Sequence, residues 1–182
     1  MKQEYYDEAY ELGAILAQRG HTIVFGGGTS GLMGAAARGA KSRGGRLIGV
    51  APKFFDEPGV LYEDCDEMLF TETMSERKKA MEDMSDAFVI LPGGLGTFEE
   101  FFEALTLKQL GRHAKAMAVL NTLGYYDAME AMLERAVSEE FLTPDGRALY
   151  AVFTDPAALA GYVETYRGEI KEVWKEKILG RE

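Results

Sequence analysis

The amino-acid sequence predicts an α/β protein with a parallel sheet covered by helices on both faces. Its 182 residues suit one domain with a full hydrophobic core, spanning residues 1–182. Short apolar runs alternate with longer segments of helical periodicity almost from end to end, which is the pattern of βαβ units. Two glycine clusters directly follow predicted strands, and open sheets of this class bind ligands at such places. No internal repeat, low-complexity tract or linker interrupts the pattern.

Helical periodicity accounts for the longer segments. Ser30 is a candidate N-cap for the second helix, and Gly111 closes the fourth. In chain order, the predicted helices are Lys2–Arg19, a segment from Ser30 to about Ser42, Thr73–Met84, Thr97–Leu110, Tyr125–Glu139, Asp155–Thr165 and Glu169–Leu179.

Short apolar and β-branched runs account for the strands. Pro52 ends the second of them, and an irregular excursion follows at Lys53–Glu63. Ala87–Leu91 is a continuous apolar run of the kind that is buried on both faces of a sheet. In chain order, the predicted strands are Thr22–Phe25, Arg46–Val50, Glu67–Thr71, Ala87–Leu91, Ala116–Leu120 and Tyr150–Phe153.

Composition excludes several classes of function. The net charge of −10, without a long basic tract, argues against binding to nucleic acid. No apolar run is long enough to cross a membrane, and no signal-peptide pattern opens the chain. Cys65 is the only cysteine, and no H-x-x-x-H cluster occurs, so the sequence predicts no disulfide and no metal site. The prediction is a cytoplasmic protein without a metal or other cofactor.

The first glycine cluster, Gly26–Gly34, contains the spacing G-x-G-x-x-G between a strand and a helix, which is typical of dinucleotide binding. That function also needs an acidic residue at the end of the next strand, but the strand ends in Val50-Ala51-Pro52. The interpretation we favour is a loop that lets its helix pack closely on the sheet and also lines a ligand site. Gly27 and Gly28 are its candidate binding residues.

The second cluster, Pro92–Glu100, follows a strand and opens a helix. Gly93, Gly94 and Gly96 allow backbone N–H groups to turn toward one point, and the helix dipole adds positive potential, so the loop predicts an anion site. It is not a Walker A loop, because no G-K-[ST] follows. Thr97-x-x-Glu100 also fits a capping box, so Glu100 is either a cap in the first helical turn or a functional carboxylate.

A basic pair lies between the two loops. Thr73 and Glu76 predict a capping box, and Arg77 then shares a helix stripe with Met74, Met81 and Met84. Arginine is rare on an apolar stripe without an anion, which is either a ligand or a structural carboxylate. Lys78 reaches the rim of the same stripe or is solvated.

Together these strings resemble the Lonely Guy family of cytokinin riboside 5′-monophosphate phosphoribohydrolases, which carries the older label of lysine decarboxylase. The matching strings are GGGTSGLMG at Gly26–Gly34, MSERK at Met74–Lys78, PGGLGTFEE at Pro92–Glu100 and the segment Gln109–Asp127. No context for a lysine that binds pyridoxal phosphate supports the decarboxylase label. Family members begin with a strand that ends in a C-G-S-S-like turn, whereas this chain starts in the following helix.

The resemblance implies a Rossmann-like, doubly wound domain that forms homodimers and acts on a small nucleotide. It implies that Arg77 and Glu100 are catalytic. It also implies that the substrate and its phosphate are held by Lys78, Gly93, Gly94, Gly96, Thr97 and Thr106.

The implied reaction is hydrolysis of the N-glycosidic bond of a nucleoside 5′-monophosphate, such as AMP or N6-prenyl-AMP. The phosphate anchors on the loop, and Glu100 stabilises positive charge on the ribose C1′ or activates water. Arg77 orients Glu100, the phosphate or both. The alternative is a carrier of a nucleotide or another phosphorylated cofactor that uses the same fold without catalysis.

Overall fold

The structure is a computed structural model that describes residues 1–175. The chain divides into two compact units, Met1–Ser85 and Asp86–Glu182. Each unit is built on a three-stranded parallel sheet flanked by helices, so the chain has an α/β, Rossmann-like fold, as the sequence predicts.

The sheet of the first unit has the strand order β1-β2-β3. β2 lies at the centre of this sheet and is buried at every position. Its register pairs Ile23 with Leu47 on one side and Ile48 with Glu67 on the other. In chain order, the elements of this unit are α1 (Gln3–Gln18), β1 (Ile23–Phe25), α2 (Gly31–Lys41), β2 (Leu47–Pro52), a 3₁₀ turn (Lys53–Phe55), β3 (Glu67–Thr71) and α3 (Met74–Met84).

Glycines allow α1 and α2 to approach closely. A Cβ on Gly13 would lie 2.0 Å from the Ala36 carbonyl oxygen, and a Cβ on Gly39 would lie 1.9 Å from that of Tyr10. Gly39 therefore packs against the neighbouring helix, because only glycine leaves room for the backbone of α1 there.

The sheet of the second unit has the order β4-β5-β6. The central strand is buried at every position. In chain order, the elements of this unit are β4 (Ala87–Ile90), α4 (Leu95–Gln109), β5 (Ala116–Leu120), a 3₁₀ turn (Thr122–Gly124), α5 (Asp127–Ser138), α6 (Pro144–Arg147), β6 (Ala151–Phe153) and α7 (Pro156–Thr165).

Two sequence expectations in this unit are wrong. The first was that β4 is buried on both faces of the sheet, but only Ile90 is buried and the other three positions are half-buried. β4 is an edge strand of this sheet, whereas β5, which the sequence also predicts, is the central one. The second, a helix over Glu169–Leu179, is wrong for residues 169–172, which are not helical. Residues 173–175 are helical, and the rest of the predicted helix lies outside the described residues.

The fourth helix ends as the sequence predicts, at a glycine. Gly111 has a φ of +69°, and its N–H donates to the Lys108 carbonyl while the Arg112 N–H donates to the Leu107 carbonyl. These two hydrogen bonds form a Schellman motif, which satisfies carbonyls that the helix end would otherwise leave unpaired.

Asp66, which directly precedes β3, contacts α2 and β2, and these contacts predict a pH effect on stability. Its carboxylate accepts from the Lys41 Nζ at 2.8 Å and from the Leu47 N–H at 2.7 Å. These hydrogen bonds, that from Lys41 first, lower the pKa of Asp66 below its usual value of 3.8. A lowered pKa contributes stability above the unfolded-state pKa, and this contribution is lost as the pH falls through the folded-state pKa.

We therefore expect Asp66→Asn to destabilise the protein at pH 6 and to differ less from the wild type at pH 3. Urea unfolding of both proteins at the two pH values measures this difference. An equal difference at both pH values would contradict the assigned role of Asp66.

Candidate functional site

The second glycine loop follows β4 and leads into α4. Gly94 is the N-cap residue in an extended conformation, with φ of −101° and ψ of −153°, and it has no side chain to cap the helix. Its carbonyl accepts the first helical hydrogen bond, from the Phe98 N–H at 3.0 Å. Within residues 1–175, the N–H groups of Leu95, Gly96 and Thr97 have no hydrogen-bond partner. Three free donors at the positive end of a helix are suited to an anion.

The glycines of this loop differ in what the fold requires of them. A Cβ on Gly93 would lie 2.1 Å from Thr97 Oγ1, so packing alone excludes a side chain there. Gly94 and Gly96 have no positive φ, and a Cβ on either would meet no atom within 4 Å. Neither backbone strain nor packing explains these two glycines, so they leave open space beside the free N–H groups.

The structure changes the interpretation of Glu100. The helix begins at Leu95 rather than at Thr97, so the predicted Thr97–Glu100 capping box is wrong. Glu100 also lies beyond the first turn of α4, which contains no acidic residue, so the predicted place of Glu100 in the first helical turn is wrong too. Glu100 follows Gly96 by one turn on the same helix face, and helical side chains lean toward the N-terminus. We therefore expect the side chain of the half-buried Glu100 to extend toward the loop.

Two threonines were predicted to contact the substrate, but only one of them lies at the second glycine loop. Thr97 is part of the loop, with its hydroxyl against Gly93. Thr106 is exposed on α4, six residues after Glu100, which corresponds to about 9 Å along the helix. The second unit therefore brings Thr97 to the free N–H groups but does not bring Thr106 there.

The first glycine loop is held by the segment after the 3₁₀ turn. The Gly27 carbonyl accepts from the Tyr62 N–H at 2.7 Å, and the Thr29 N–H donates to the Val60 carbonyl at 3.0 Å. Gly28 forms an isolated antiparallel bridge with Leu61. Gly27 has a φ of +74°, which explains the glycine there. The Gly27 carbonyl and the Thr29 N–H on either side of Gly28 thus serve the fold of the first unit.

Arg77 is the one buried residue of α3, with 8% of its surface exposed. Its Nε donates to the Val50 carbonyl at 3.1 Å, and a Cβ on Gly26 would lie 2.1 Å from its guanidinium. A cation therefore lies at the carboxyl ends of β1 and β2, where sheets of this class bind ligands.

The surroundings of Arg77 on α3 agree only in part with those that the sequence predicts. The Thr73–Glu76 capping box is present, as predicted. The predicted apolar stripe is not a buried one, because Met74 and Met84 are exposed. Lys78 is half-buried beside Arg77.

Two tyrosines next to the second loop were missed. Tyr125 Oη donates to the Gly93 carbonyl at 2.5 Å, and Tyr126 Oη donates to the Leu91 carbonyl at 2.6 Å. The sequence marks them only as an aromatic pair after a turn. No local pattern shows that they reach a loop more than 30 residues earlier.

Lys108 is a buried cation away from this loop. Its Nζ donates to the carbonyls of Lys115 and Leu149 at 2.8 and 2.7 Å and lies 4.6 Å from the centre of the Tyr166 ring. His113 is also buried, with Nε2 at 2.9 Å from the Ala104 carbonyl oxygen, and its Nδ1 accepts from the Lys115 N–H at 3.2 Å. Both side chains join elements of the second unit.

Within the described part of the chain, no cluster of three or more histidine, cysteine, aspartate or glutamate side chains is placed to hold a metal ion. Residues 1–175 also contain no helix with the length and apolar character needed to cross a membrane.

The sequence is similar to enzymes that cleave nucleotides. The cytokinin riboside 5′-monophosphate phosphoribohydrolase LOG of Oryza sativa subsp. japonica is 39% identical, over 97% of this chain and 74% of that protein. The protein of that enzyme name from Mycobacterium tuberculosis is 42% identical, over 78% of this chain and 75% of that protein.

Solved structures confirm the fold. The molybdenum cofactor carrier protein of Chlamydomonas reinhardtii is 27% identical with a TM-score of 0.68, over 90% of this chain and 88% of that chain. The molybdenum cofactor binding protein of Rippkaea orientalis has the same TM-score of 0.68 and the same coverage at 20% identity, which shows the fold alone.

A family model described as possible lysine decarboxylase matches residues 33–163, which is most of the chain. Together with the relatives at 39% and 42% identity, this match decides the family. The chain belongs to the family described as possible lysine decarboxylase, with the cytokinin riboside 5′-monophosphate phosphoribohydrolases among its relatives.

Proposed function

We propose that this protein hydrolyses the N-glycosidic bond of nucleoside 5′-monophosphates and releases free base and ribose 5-phosphate. The observation that carries the proposal is the start of α4, where three N–H groups without partners in the described chain lie beside two glycines that the fold does not require. A 5′-phosphate suits these donors because it is a dianion with several acceptor oxygens. The names of the relatives at 39% and 42% identity support the same substrate class.

Glu100 is the proposed catalytic carboxylate. A phosphate on Leu95, Gly96 and Thr97 would place the attached ribose near the loop, toward which Glu100 extends from the next turn of α4. Cleavage of the bond between C1′ and the base leaves positive charge on the sugar, which a carboxylate stabilises. Water then adds its hydroxyl to C1′, and its proton leaves with the base.

Arg77 is the second proposed catalytic residue, and Lys78 is a proposed substrate contact. We assign both on family membership together with the burial of the Arg77 guanidinium at the carboxyl ends of β1 and β2. Thr106, Gly27 and Gly28 stay proposed substrate contacts on the family resemblance alone.

The direct test is to incubate the purified protein with AMP or N6-prenyl-AMP and to measure free base and ribose 5-phosphate. Release from either nucleotide supports the hydrolase. Binding of both nucleotides without release would contradict it, and the relative rates report the preferred base.

The second candidate function is a carrier of a phosphorylated cofactor. The similarity to the carrier protein of Chlamydomonas reinhardtii supports it, at 27% identity. The higher identity to phosphoribohydrolases, 39% and 42%, favours the enzyme.

We also propose that the chain acts as a homodimer in the cytoplasm and that residues 1–182 form one domain. Exposed apolar side chains on α3, Met74 and Met84, provide surface that a second copy could cover. The single cysteine and the nucleotide substrate fit a reducing compartment. Sedimentation velocity measures the oligomeric state.

A further inference from the structure

The hydroxyls of two consecutive tyrosines donate hydrogen bonds to the backbone of the second glycine loop and of the residue just before it. Tyr125 Oη donates to the Gly93 carbonyl at 2.5 Å, and Tyr126 Oη donates to the Leu91 carbonyl at 2.6 Å. The loop is thus bound at its first glycine and at the residue that follows β4. Both tyrosines follow the 3₁₀ turn after β5 and belong to the same unit as the loop.

The turn that carries the tyrosines is itself fixed by side-chain hydrogen bonds. The buried Asn121 accepts from the Tyr126 N–H at 2.7 Å and donates to Asp127 Oδ1 at 2.8 Å. Leu123 has a φ of +52°, an uncommon conformation for a leucine, and Gly124 has a φ of +72°. The strained backbone of Leu123 persists only where its surroundings hold it.

Different ring orientations let neighbouring residues reach carbonyls two positions apart. The two rings meet edge to face, with centroids 5.0 Å apart and planes at 89°. Tyr126 is fully buried and also packs against Phe98 of α4, at a centroid distance of 6.3 Å. Burial raises the pKa of Tyr126, so its hydroxyl remains a hydrogen-bond donor at physiological pH.

The hydrogen bond from Tyr125 to the Gly93 carbonyl determines the direction of the Gly94 N–H. In a trans peptide, the carbonyl and the following N–H point to opposite sides of the chain. When Tyr125 holds the Gly93 carbonyl, the Gly94 N–H must point away from Tyr125. Adjacent glycines have little backbone preference of their own, so this contact favours one orientation of the Gly93–Gly94 peptide over others. Leu91 precedes Pro92, which has no N–H, so Tyr126 anchors the end of β4 and orients no donor.

We propose that Tyr125 is a positioning residue that orients the second glycine loop for the substrate phosphate, while Tyr126 anchors the end of β4 before this loop. The proposal rests on the proposed function in one respect, namely that the Pro92–Glu100 loop holds the 5′-phosphate. Tyr125 acts through the Gly93–Gly94 peptide and touches no reacting atom.

The test compares Tyr125→Phe with Tyr150→Phe. The control also loses one tyrosine hydrogen bond, from Tyr150 Oη to Glu130 Oε1 at 2.5 Å, in the same unit. We expect Tyr125→Phe to weaken binding of AMP and ribose 5-phosphate by about five- to tenfold, because one oriented hydrogen bond is lost. Adenosine, which has no phosphate, should bind both variants as it binds the wild type. For hydrolysis of AMP, KM should rise while kcat changes by less than about twofold.

Titration calorimetry with AMP, ribose 5-phosphate and adenosine decides the outcome, and thermal melting checks that each variant is folded. Equal phosphate binding by Tyr125→Phe and the wild type would overturn the positioning role but leave the proposed function intact. Equal losses for phosphorylated and unphosphorylated ligands would also overturn it, since they indicate a general structural defect. A wild type that binds neither AMP nor ribose 5-phosphate would overturn the proposed function, and the positioning role with it.

Discussion

Replacement of Glu100 by glutamine is expected to slow the release of free base from AMP by about 100-fold to 10,000-fold. Glutamine has nearly the shape of glutamate but no negative charge, so it neither stabilises a positive ribose C1′ nor accepts a proton from water. The N–H groups of Leu95, Gly96 and Thr97 are unchanged by this substitution. We therefore expect the dissociation constant for AMP to stay within about threefold of the wild-type value.

Glu103→Gln is the matched control, because Glu103 is an exposed residue of α4 and the substitution removes the same charge from the same helix. Its turnover should stay within about twofold of the wild type. Single-turnover measurements of free base, together with calorimetric titration of AMP, separate chemistry from binding. If Glu100→Gln releases base as fast as the control, Glu100 is not the catalytic carboxylate.

Replacement of Gly96 by alanine is expected to weaken AMP binding by about tenfold or more while making the protein more stable. Gly96 is the second residue of α4, and alanine is favoured over glycine in a helix by about 0.5–1 kcal/mol. The new Cβ meets no atom of the protein within 4 Å, so the fold accepts it. Since Cβ atoms in a helix tilt toward its N-terminus, the methyl group would lie where the proposed phosphate approaches.

Calorimetry with AMP and adenosine, and urea unfolding, measure the two effects of Gly96→Ala separately. Gly93→Ala is the comparison, since its Cβ would lie 2.1 Å from Thr97 Oγ1. That variant should lose stability as well as binding. Wild-type AMP affinity in a folded Gly96→Ala protein would mean that the phosphate binds elsewhere.

The periodicity of the sequence predicts the helices and strands well because each depends on contacts over a few residues. The first helix was expected over Lys2–Arg19 and spans Gln3–Gln18, and the fifth strand spans Ala116–Leu120, as predicted. The start of α4 was placed two residues too late. Threonine is a preferred N-cap, which favoured Thr97, but the extended backbone of Gly94 takes that position without any side-chain hydrogen bond.

The candidate site could be predicted in part. Glycine spacing predicted the anion site at the second loop. The place of Arg77 on an otherwise apolar helix stripe indicated a special role for this residue, which is buried. The tyrosines that hold the loop could not be found in this way. Their hydroxyls bond to carbonyls 32 and 35 residues earlier, and contacts at that separation leave no local pattern.

The sequence by itself determined the α/β class and the two glycine loops, because residue spacing and composition express local backbone preferences directly, and its motifs gave the resemblance to the family. Only the tertiary structure decided which loop glycines the fold requires and where the helix behind the second loop begins. It also decided that Glu100 lies beyond the capping position that its spacing suggests, and that the Val50 carbonyl is a partner of Arg77. These features depend on burial and on hydrogen bonds between distant segments, which exist only after the strands and helices have packed.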